Sequence, residues 1–315
     1  MSRIEKSKIN DVIYYYFVKD LLFMGSKHVI RKYLGKKPQS KTKFIIDNLS
    51  SLTKEELDFK KKFFDEIADK TYKENLLENI EKKNSLINNL IEAKHLQEVI
   101  DIAFSKELIY NSNNIEGSKM PPEVVEEIIE KNITKYKNKN EVVEVNNSIK
   151  AYEFVKNKFY FNIESIKRLY YILTKDLKTE SGDFYFKGFK EKQIIVGNEK
   201  TTDPENVEKE LKNLLSRYNS NKKVVHPLIQ AFKFHLDYES IHPFEDANGR
   251  TGRLILNKIL ISNNYFPMLV RKSRKKAYFT AIKKARDGNL KKYYDFMLKE
   301  LDYTYDFILK KIKVY

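Results

Sequence analysis

The sequence predicts a mainly α-helical fold that carries one β-hairpin and is preceded by a small β-rich segment. Three observations indicate this fold class. Apolar residues recur at spacings of three and four over most of the chain from about residue 53. β-branched and aromatic residues cluster before residue 38, and one short β-rich stretch interrupts the helical pattern near residue 195. Hydrophobic residues make up 41% of the 315 residues, which is enough for a sizeable core.

Residues 1–38 are predicted to form a small basic β-rich module. Residues 12–18 and 28–34 are rich in β-branched and aromatic side chains, and Gly25 and Ser26 between them are a turn signal. A hairpin or a three-stranded sheet is therefore expected. The segment contains nine Lys or Arg against three Asp or Glu. It is either a sheet with a solvated basic face or a docking module for a substrate or a nucleic acid.

A helical connecting region is predicted for residues 39–95, after a linker at residues 35–40. Its apolar spacing is illustrated by Phe63, Phe64 and Ile67. Pro121 and Pro122 open a further helix, because proline suits the first helical turn. Seven more helices are expected at about 141–158, 163–176, 204–219, 226–240, 249–262, 274–287 and 290–313.

The hairpin is expected where residues 193–196 are β-rich and are followed by Gly197 and Asn198. The helical part that contains this hairpin, residues 96–315, is assigned to one domain.

Composition limits the classes of function. The formal net charge is +16 and the pI is about 9.4, which suits anionic partners. The basic residues are spread along the whole chain, which argues against nucleic acid as the main partner. The chain has no cysteine, so disulfide scaffolds, thiolate zinc sites and cysteine nucleophiles are excluded. No apolar run approaches the roughly 20 residues of a membrane helix, and the first residues lack the apolar core of a signal peptide. A cytoplasmic protein without membrane association is expected.

The chemistry is concentrated in residues 242–253. A helix is predicted to end near His242, because Pro243 disfavours helical geometry at the residue before it. A polar loop follows, and then an apolar helix begins. The free backbone N–H groups at a helix N-terminus form an anion site. Gly249 allows the backbone to approach a ligand closely.

The side chains of this segment suit phosphoryl chemistry. Arg250 and Arg253 are three residues apart, so on a helix they point the same way and could clamp a polyphosphate. Asp246 can hold Mg²⁺, which prefers oxygen ligands and bridges to substrate phosphates. His242 is the side-chain type here that titrates near neutral pH, as a general base requires. The combination predicts catalysis by positioning and charge stabilisation.

The segment resembles the signature of the Fic family of protein adenylyltransferases through His242, Pro243, Phe244, Asp246, Asn248, Gly249, Arg250 and Arg253. The resemblance implies that His242 takes the proton of a target hydroxyl and that Asp246 binds Mg²⁺. It also implies that Asn248, Gly249 and Arg250 hold the α- and β-phosphates of ATP, while Arg253 meets the γ-phosphate. The implied reaction is attack on the α-phosphorus with loss of pyrophosphate, which moves AMP onto a protein.

The resemblance covers about residues 100–300. Within the nucleotide-binding loop, Ala247 replaces the commonest Gly but remains small. Ile195, Val196 and Gly197 resemble the Fic flap, here about residues 188–198, a hairpin that pins the target peptide by strand pairing. A protein substrate is therefore expected to dock at residues 193–197.

Tyr278 and Phe279 resemble an aromatic pair that lines the base or the ribose of the nucleotide in some relatives. Plain core packing is the alternative for both. His28, His95 and His235 are expected to be structural.

A second motif lies far upstream of the loop. Ser112, Glu116 and Gly117, at the end of a helix predicted at about 100–117, resemble the inhibitory pattern of Fic proteins that carry it on the N-terminal side. The resemblance implies that Glu116 pairs with Arg253 and blocks the γ-phosphate. A carboxylate in that position would compete for the same charge-assisted hydrogen bonds.

Several alternatives stay open. The same Glu could support removal of AMP from a target, and another nucleotide could be the donor. A phosphotransferase of the related toxin type is disfavoured, because that branch typically has Lys in place of Gly249 and lacks the second arginine. A largely non-catalytic protein that binds nucleic acid or has a regulatory role is a further alternative. The target hydroxyl is one of Ser, Thr or Tyr; the chain itself, with 21 tyrosines, is a candidate target, and a homodimer is compatible with the helical domain.

Overall fold

A computed structural model describes residues 2–64, 74–132, 134–179, 181–197 and 199–315. The predicted positions of Ile67 and Asn198 lie outside the described residues. The strands are β1 (Ser2–Ile9), β2 (Val12–Phe23), β3 (Ser26–Gly35), β4 (Ile195–Val196) and β5 (Glu199–Lys200). The helices are α1 (Lys41–Asp47), α2 (Leu49–Lys61), α3 (Glu74–Lys94), α4 (Gln97–Glu116), α5 (Pro122–Lys131), α6 (Lys139–Asn157), α7 (Ile163–Thr174), α8 (Val207–Asn221), α9 (Pro227–Ile241), α10 (Asn248–Ser262), α11 (Lys275–Arg286) and α12 (Leu290–Val314).

The first three strands form an antiparallel sheet in the order β1-β2-β3. Both connections are two-residue turns with positive φ, at Asn10 and Asp11 and at Met24 and Gly25. Such turns match the right-handed twist of the strands that they join. The predicted three-stranded sheet is therefore confirmed.

One face of this sheet packs on the helices that follow it. Phe17 and Ile30 of the sheet share a small buried cluster with Phe44 of α1 and Leu52 of α2. The sheet is also tied to the helices by a buried ion pair: Lys19 Nζ lies 2.6 Å from a carboxylate oxygen of Glu56. The same Nζ donates to Asn89 Oδ1 at 2.7 Å.

Helical structure begins near the start of the region predicted to be helical, residues 39–95, and before the apolar period becomes clear. Apolar periodicity indicated helices from about Thr53, whereas α1 begins at Lys41 and α2 at Leu49. The overlooked signal is Ser40, whose hydroxyl accepts a hydrogen bond from the N–H of Lys43 at the start of α1. With only seven residues, α1 is too short to show a helical period.

The main core surrounds α9 and α10. These helices pack against each other across the loop that joins them, and α10 is buried along Arg250–Asn257, charged residues included. Helix α4 reaches the same place and ends there, because Gly117 adopts φ 124 and its N–H caps the carbonyl of Asn113. The most buried part of the fold is thus the part that holds the candidate site. Among the described residues no helix is long and apolar enough to cross a membrane.

The buried pair of Lys19 and Glu56 gives a stability prediction. We expect Lys19→Met to lower the free energy of unfolding by about 3 kcal/mol, because it leaves the Glu56 carboxylate buried without its counter-charge. Urea denaturation followed by circular dichroism measures this loss.

The double variant Lys19→Met/Glu56→Met should recover most of the lost stability, because an apolar pair replaces the ion pair. Lys27→Met, on the exposed face of the sheet, is the control and should change little. A loss below about 1 kcal/mol in Lys19→Met would contradict this role of the pair.

Candidate active site

The loop between α9 and α10 is a rigid turn. His242 follows α9 in a left-handed conformation, φ 48, and its N–H bonds to the carbonyl of Tyr238. Ala247, φ 57, precedes α10 in the same conformation. The side chain of Asn248 spans the turn: it accepts from the N–H of Phe244 at 3.0 Å and donates to the carbonyl of Phe244 at 2.8 Å. The loop therefore has a fixed shape without a ligand.

The side chain of His242 is neutral at physiological pH. Burial, together with the positive charges of Lys190 and Arg286, lowers the pKa of His242 to about 4, against the opposing effects of Glu116 and of a backbone hydrogen bond to Glu239. Nδ1 of His242 is buried and has no hydrogen-bond partner among the described residues. The imidazole therefore carries no charge near neutral pH, as proton acceptance from a hydroxyl requires.

Arg253 is engaged by the end of α4. Its Nε donates to Ser112 Oγ at 3.0 Å, and Nη2 donates to the carbonyl of Ser112 at 3.0 Å and to Glu116 Oε1 at 2.7 Å. The guanidinium is 4% exposed, so these charge-assisted bonds lie out of water and are strong. The structure thus brings Ser112 and Glu116 to Arg253, which lies 141 and 137 residues further along the sequence.

The carboxylate of Glu116 lies over the N-terminus of α10. A Cβ atom at residue 249 would be 2.3 Å from Glu116 Oε1 and 2.9 Å from Arg253 Nη1. Only glycine leaves room for an anion at this point, where the first turn of the helix presents its unpaired N–H groups. Here the anion is the side chain of Glu116 itself.

Arg250 pairs with an acid that the sequence did not suggest. Its Nη1 bonds to Glu144 of α6, and its Nη2 lies 3.4 Å from Asp246 Oδ2. The pKa of the Glu144 carboxyl is raised by burial, which the charge of Arg250 partly offsets. Nε of Arg250 and Nη1 of Arg253 are buried and lack hydrogen-bond partners among the described residues. These unused donors fit the oxygens of a polyphosphate.

Asp246 fits a magnesium site of the kind that the substrate completes. Its side chain is 41% exposed, and its Oδ1 also accepts from the N–H of Ala247 at 2.6 Å. The described residues contain no cluster of three acidic or histidine side chains that could hold a metal alone. Mg²⁺ commonly binds proteins through one carboxylate together with substrate phosphates and water, and this donor set agrees with that pattern.

The flap is a two-stranded hairpin beside the turn. Ile195 in β4 pairs with Lys200 in β5, and the side chain of Ile195 is 60% exposed. Gly197 has φ 64 at the bend. The N–H of Thr202 bonds to the carbonyl of Ser240, so the hairpin is attached two residues before His242. Val196 lies half-buried on the same strand.

The aromatic pair of α11 divides between core and surface. Tyr278 is buried, and its hydroxyl lies 2.9 Å from Nε2 of His235. Phe279 is 40% exposed. Nδ1 of His235 lies 2.9 Å from the hydroxyl of Tyr293, which agrees with the structural role expected for this histidine. The structure therefore places Phe279, but not the ring of Tyr278, at the surface where a ligand could reach it.

Sequence reasoning missed three charged residues around the loop. Glu144 contacts Arg250, while Lys190 and Arg286 contact backbone carbonyls at the end of α9. None belongs to a local pattern. The one available signal is that Lys190 lies within the predicted flap segment, about residues 188–198.

The sequence around this site was compared with models of known protein families. Residues 160–260 match the sequence model of the Fic/DOC family. This match confirms the resemblance of the loop to the Fic signature over these residues.

Curated relatives point to the same family. Over 219 residues the chain is 26% identical to the protein adenylyltransferase Fic of Nematostella vectensis, an alignment that covers 66% of this chain and 49% of the relative. Over 218 residues it is 27% identical to the protein of that name from Culex quinquefasciatus, covering 64% of this chain and 41% of the relative. The chain thus spans half the length or less of these relatives.

Solved structures share the fold. A Fic-domain signalling protein of Bacteroides thetaiotaomicron superposes with a TM-score of 0.67 at 18% identity, covering 75% of this chain and 97% of the other. A Fic-family protein of Desulfovibrio desulfuricans gives 0.64 at 22% identity, covering 75% and 74%. Fic-1 of Caenorhabditis elegans gives 0.63 at 20% identity, covering 75% and 71%. At these identities the likeness shows the fold.

The buried His235 gives a prediction on pH dependence. Burial, assisted by the charges of Arg253 and Arg286, lowers the pKa of His235 to about 3. The unfolded chain, with a pKa of about 6.5 for this group, therefore binds more protons between these two values. The contribution of His235 to stability is full above about pH 6.5 and is lost as pH falls toward about 3.

We expect His235→Gln to flatten this dependence. Around pH 5 the slope of the free energy of unfolding against pH should fall by about 1.4 kcal/mol per pH unit, the equivalent of one proton. Urea denaturation of both proteins between about pH 4.5 and 5.5 measures the two slopes. The comparison of slopes separates the proton from any general loss of packing. Equal slopes would show that His235 is not held neutral in the fold.

Proposed function

We propose that the protein transfers AMP from ATP to a hydroxyl group of a protein, and that Glu116 inhibits this transfer. The observation that carries the proposal is the loop of residues 242–253. It combines a neutral imidazole with a free Nδ1, the N-terminus of α10, and two buried arginines that retain unused donors. The names of the relatives in this family support the same reaction class.

In this mechanism His242 accepts the proton of the target hydroxyl. The hydroxyl oxygen forms a bond to the α-phosphorus of ATP, and the bond between that phosphorus and the bridging oxygen breaks, so that pyrophosphate leaves. Arg250, Arg253 and the N–H groups at the start of α10 stabilise the negative charge on the phosphates. His242 later returns its proton to solvent.

Asp246 would hold the Mg²⁺ that accompanies ATP. Bound there, Mg²⁺ would neutralise part of the phosphate charge and fix the geometry of the leaving group. Oδ1 of Asp246 accepts a hydrogen bond from the N–H of Ala247, and Oδ2 lies 3.4 Å from Nη2 of Arg250. Asp246 is therefore already oriented along the loop that the phosphates would occupy.

Inhibition follows from competition for Arg253. Glu116 supplies a carboxylate oxygen to the guanidinium and covers Gly249, the point at which the backbone must meet a phosphate. A γ-phosphate and this carboxylate require the same donors, so ATP in the productive position must displace Glu116.

The flap supports a protein as acceptor, because the exposed strand β4 is suited to pairing with an extended peptide.

The proposal is tested by labelling. The parent, Glu116→Gly and His242→Ala are incubated with Mg²⁺ and ATP labelled at either the α- or the γ-phosphate, with and without a cell lysate. We expect label from the α-position only. Glu116→Gly should raise it about ten- to hundredfold, because a hydrogen bond to a charged group contributes about 1.5–3 kcal/mol. His242→Ala should lower it by about 10²–10⁴-fold, the usual contribution of a general base.

Two further variants sharpen the result. Glu116→Gln keeps the shape of the side chain but not its charge and should also activate, whereas Glu98→Gln, exposed in the first turn of the same helix, should match the parent. Label from the γ-position would identify a phosphotransferase. Release of AMP from modified protein, without transfer, would identify the reverse reaction. If Glu116→Gly binds ATP and labels no more than the parent, the inhibitory role is wrong.

A further inference from the structure

Lys190 is a buried lysine that the reaction described above does not use. It lies in the flap segment, five residues before β4, and is 2% exposed. Nζ donates to Thr201 Oγ1 at 2.5 Å and to the carbonyl of Ile241 at 3.2 Å. No carboxylate among the described residues forms an ion pair with it. An ammonium group that is buried without a counter-ion costs stability, which suggests that its position serves function.

The contacts of Lys190 join both ends of the flap to each other. Lys190 precedes β4, at one end of the hairpin, and its partner Thr201 follows β5, at the other end. Thr201 also closes the hairpin, because its N–H and its hydroxyl both donate to the carbonyl of Ile194. The side chain of Gln193 adds a bond to the carbonyl of Thr201 at 2.9 Å. One lysine therefore stands at the base of the whole flap.

The same lysine joins the flap to the turn that carries His242. Its Nζ binds the carbonyl of Ile241, and its backbone N–H donates to the carbonyl of Pro243 at 2.9 Å. These carbonyls belong to the residues immediately before and after His242. The left-handed conformation of His242 is thus held between two bonds from a single residue.

Arg286 of α11 reinforces this arrangement from the other side. It donates to the carbonyl of Glu239 at 2.8 Å and reaches Glu199 of β5 at 3.3 Å. Two cations therefore meet the C-terminal end of α9, where the helix dipole favours positive charge. Both also contact the flap, but only Lys190 contacts the residues adjacent to His242.

We propose that Lys190 is a positioning residue for His242, the general base. It ties the two ends of the flap to the turn that carries His242, and so couples docking of the protein target to placement of the imidazole. The inference rests on the proposed function, in which His242 is the base. The contacts of Lys190 explain why the imidazole of His242 would already be in place when a peptide pairs with β4.

The charge of Lys190 has a second effect on the histidine. Three charged groups act on the imidazole, Lys190 from the flap, Arg286 from α11 and Glu116 from α4, and the backbone of Glu239 adds a hydrogen bond. After burial, Lys190 is the largest influence that lowers the pKa of His242. Burial lowers the pKa of Lys190 itself to about 8, an effect that Asp203 opposes. At neutral pH Lys190 is thus mostly charged and helps to keep His242 neutral.

The test compares three variants of the full chain. Lys190→Met removes the charge and the clamp, Thr201→Val removes one partner of the clamp but keeps the charge, and Lys192→Met removes an exposed lysine from the same segment as a matched control. Two readouts do not depend on catalysis: the titration of the His242 Cε1–H resonance, assigned with His242→Gln, and hydrogen exchange of the flap amides.

In Lys190→Met we expect the His242 midpoint to move to higher pH by about one unit, as the loss of a nearby like charge requires. We expect the flap amides to exchange about tenfold faster or more, since a flap that opens more often exposes them. Thr201→Val should speed exchange with little change in the midpoint, and Lys192→Met should change neither. In the activated Glu116→Gly background, Lys190→Met should raise the KM for the protein target more than that for ATP.

The outcomes separate this inference from the proposed function. An unchanged His242 midpoint together with unchanged flap exchange in Lys190→Met would overturn the positioning role, whatever the activity. If Lys190→Met does not fold, Thr201→Val decides: parent-like exchange and KM in that variant would also overturn it. If no variant transfers AMP, the proposed function fails, while the resonance and exchange data still decide whether Lys190 positions the turn.

Discussion

The contact between Arg253 and Glu116 organises the active end of the fold. The chain must bring α4 against the first turn of α10, although the two residues are separated by 137 positions. Ser112, one helical turn before Glu116, binds the same guanidinium through its hydroxyl and its carbonyl. Gly117 then ends α4 at once. The end of α4 and the start of α10 are therefore fixed relative to each other by one buried cation.

The two buried arginines of the loop are each paired with a carboxylate from another helix. Glu144 neutralises Arg250 and Glu116 neutralises Arg253, so the two arginines of this loop leave little uncompensated charge. The desolvation of both arginines is already offset by these acids. In the proposed function, an incoming polyphosphate would therefore exchange one set of charge-assisted bonds for another, and the carboxylate of Glu116 would compete with it for Arg253.

The sequence predicted those parts of the fold and site that depend on local pattern. His242, Asp246 and Arg253 lie in one short segment, and the period of the apolar residues revealed most helices. The remainder depends on long-range packing: Glu144 lies 106 residues from Arg250, and Lys190 lies 51 from Ile241. No spacing rule connects such residues, because their proximity exists only after the helices have assembled. Helix α1 lies within the region predicted to be helical, residues 39–95, but its bounds could not be predicted, since seven residues show no period.

Two sets of contacts approach the loop of residues 242–253 from opposite ends. Glu116 acts at its C-terminal end, on Gly249 and Arg253, where the nucleotide would bind. Lys190 acts at its N-terminal end, on the carbonyls beside His242, where the flap is attached. Asn248 makes the loop between them rigid by its two bonds to Phe244. In the proposed function, a nucleotide that displaces Glu116 and a peptide that pairs with the flap would therefore bind at opposite ends of the loop that carries His242.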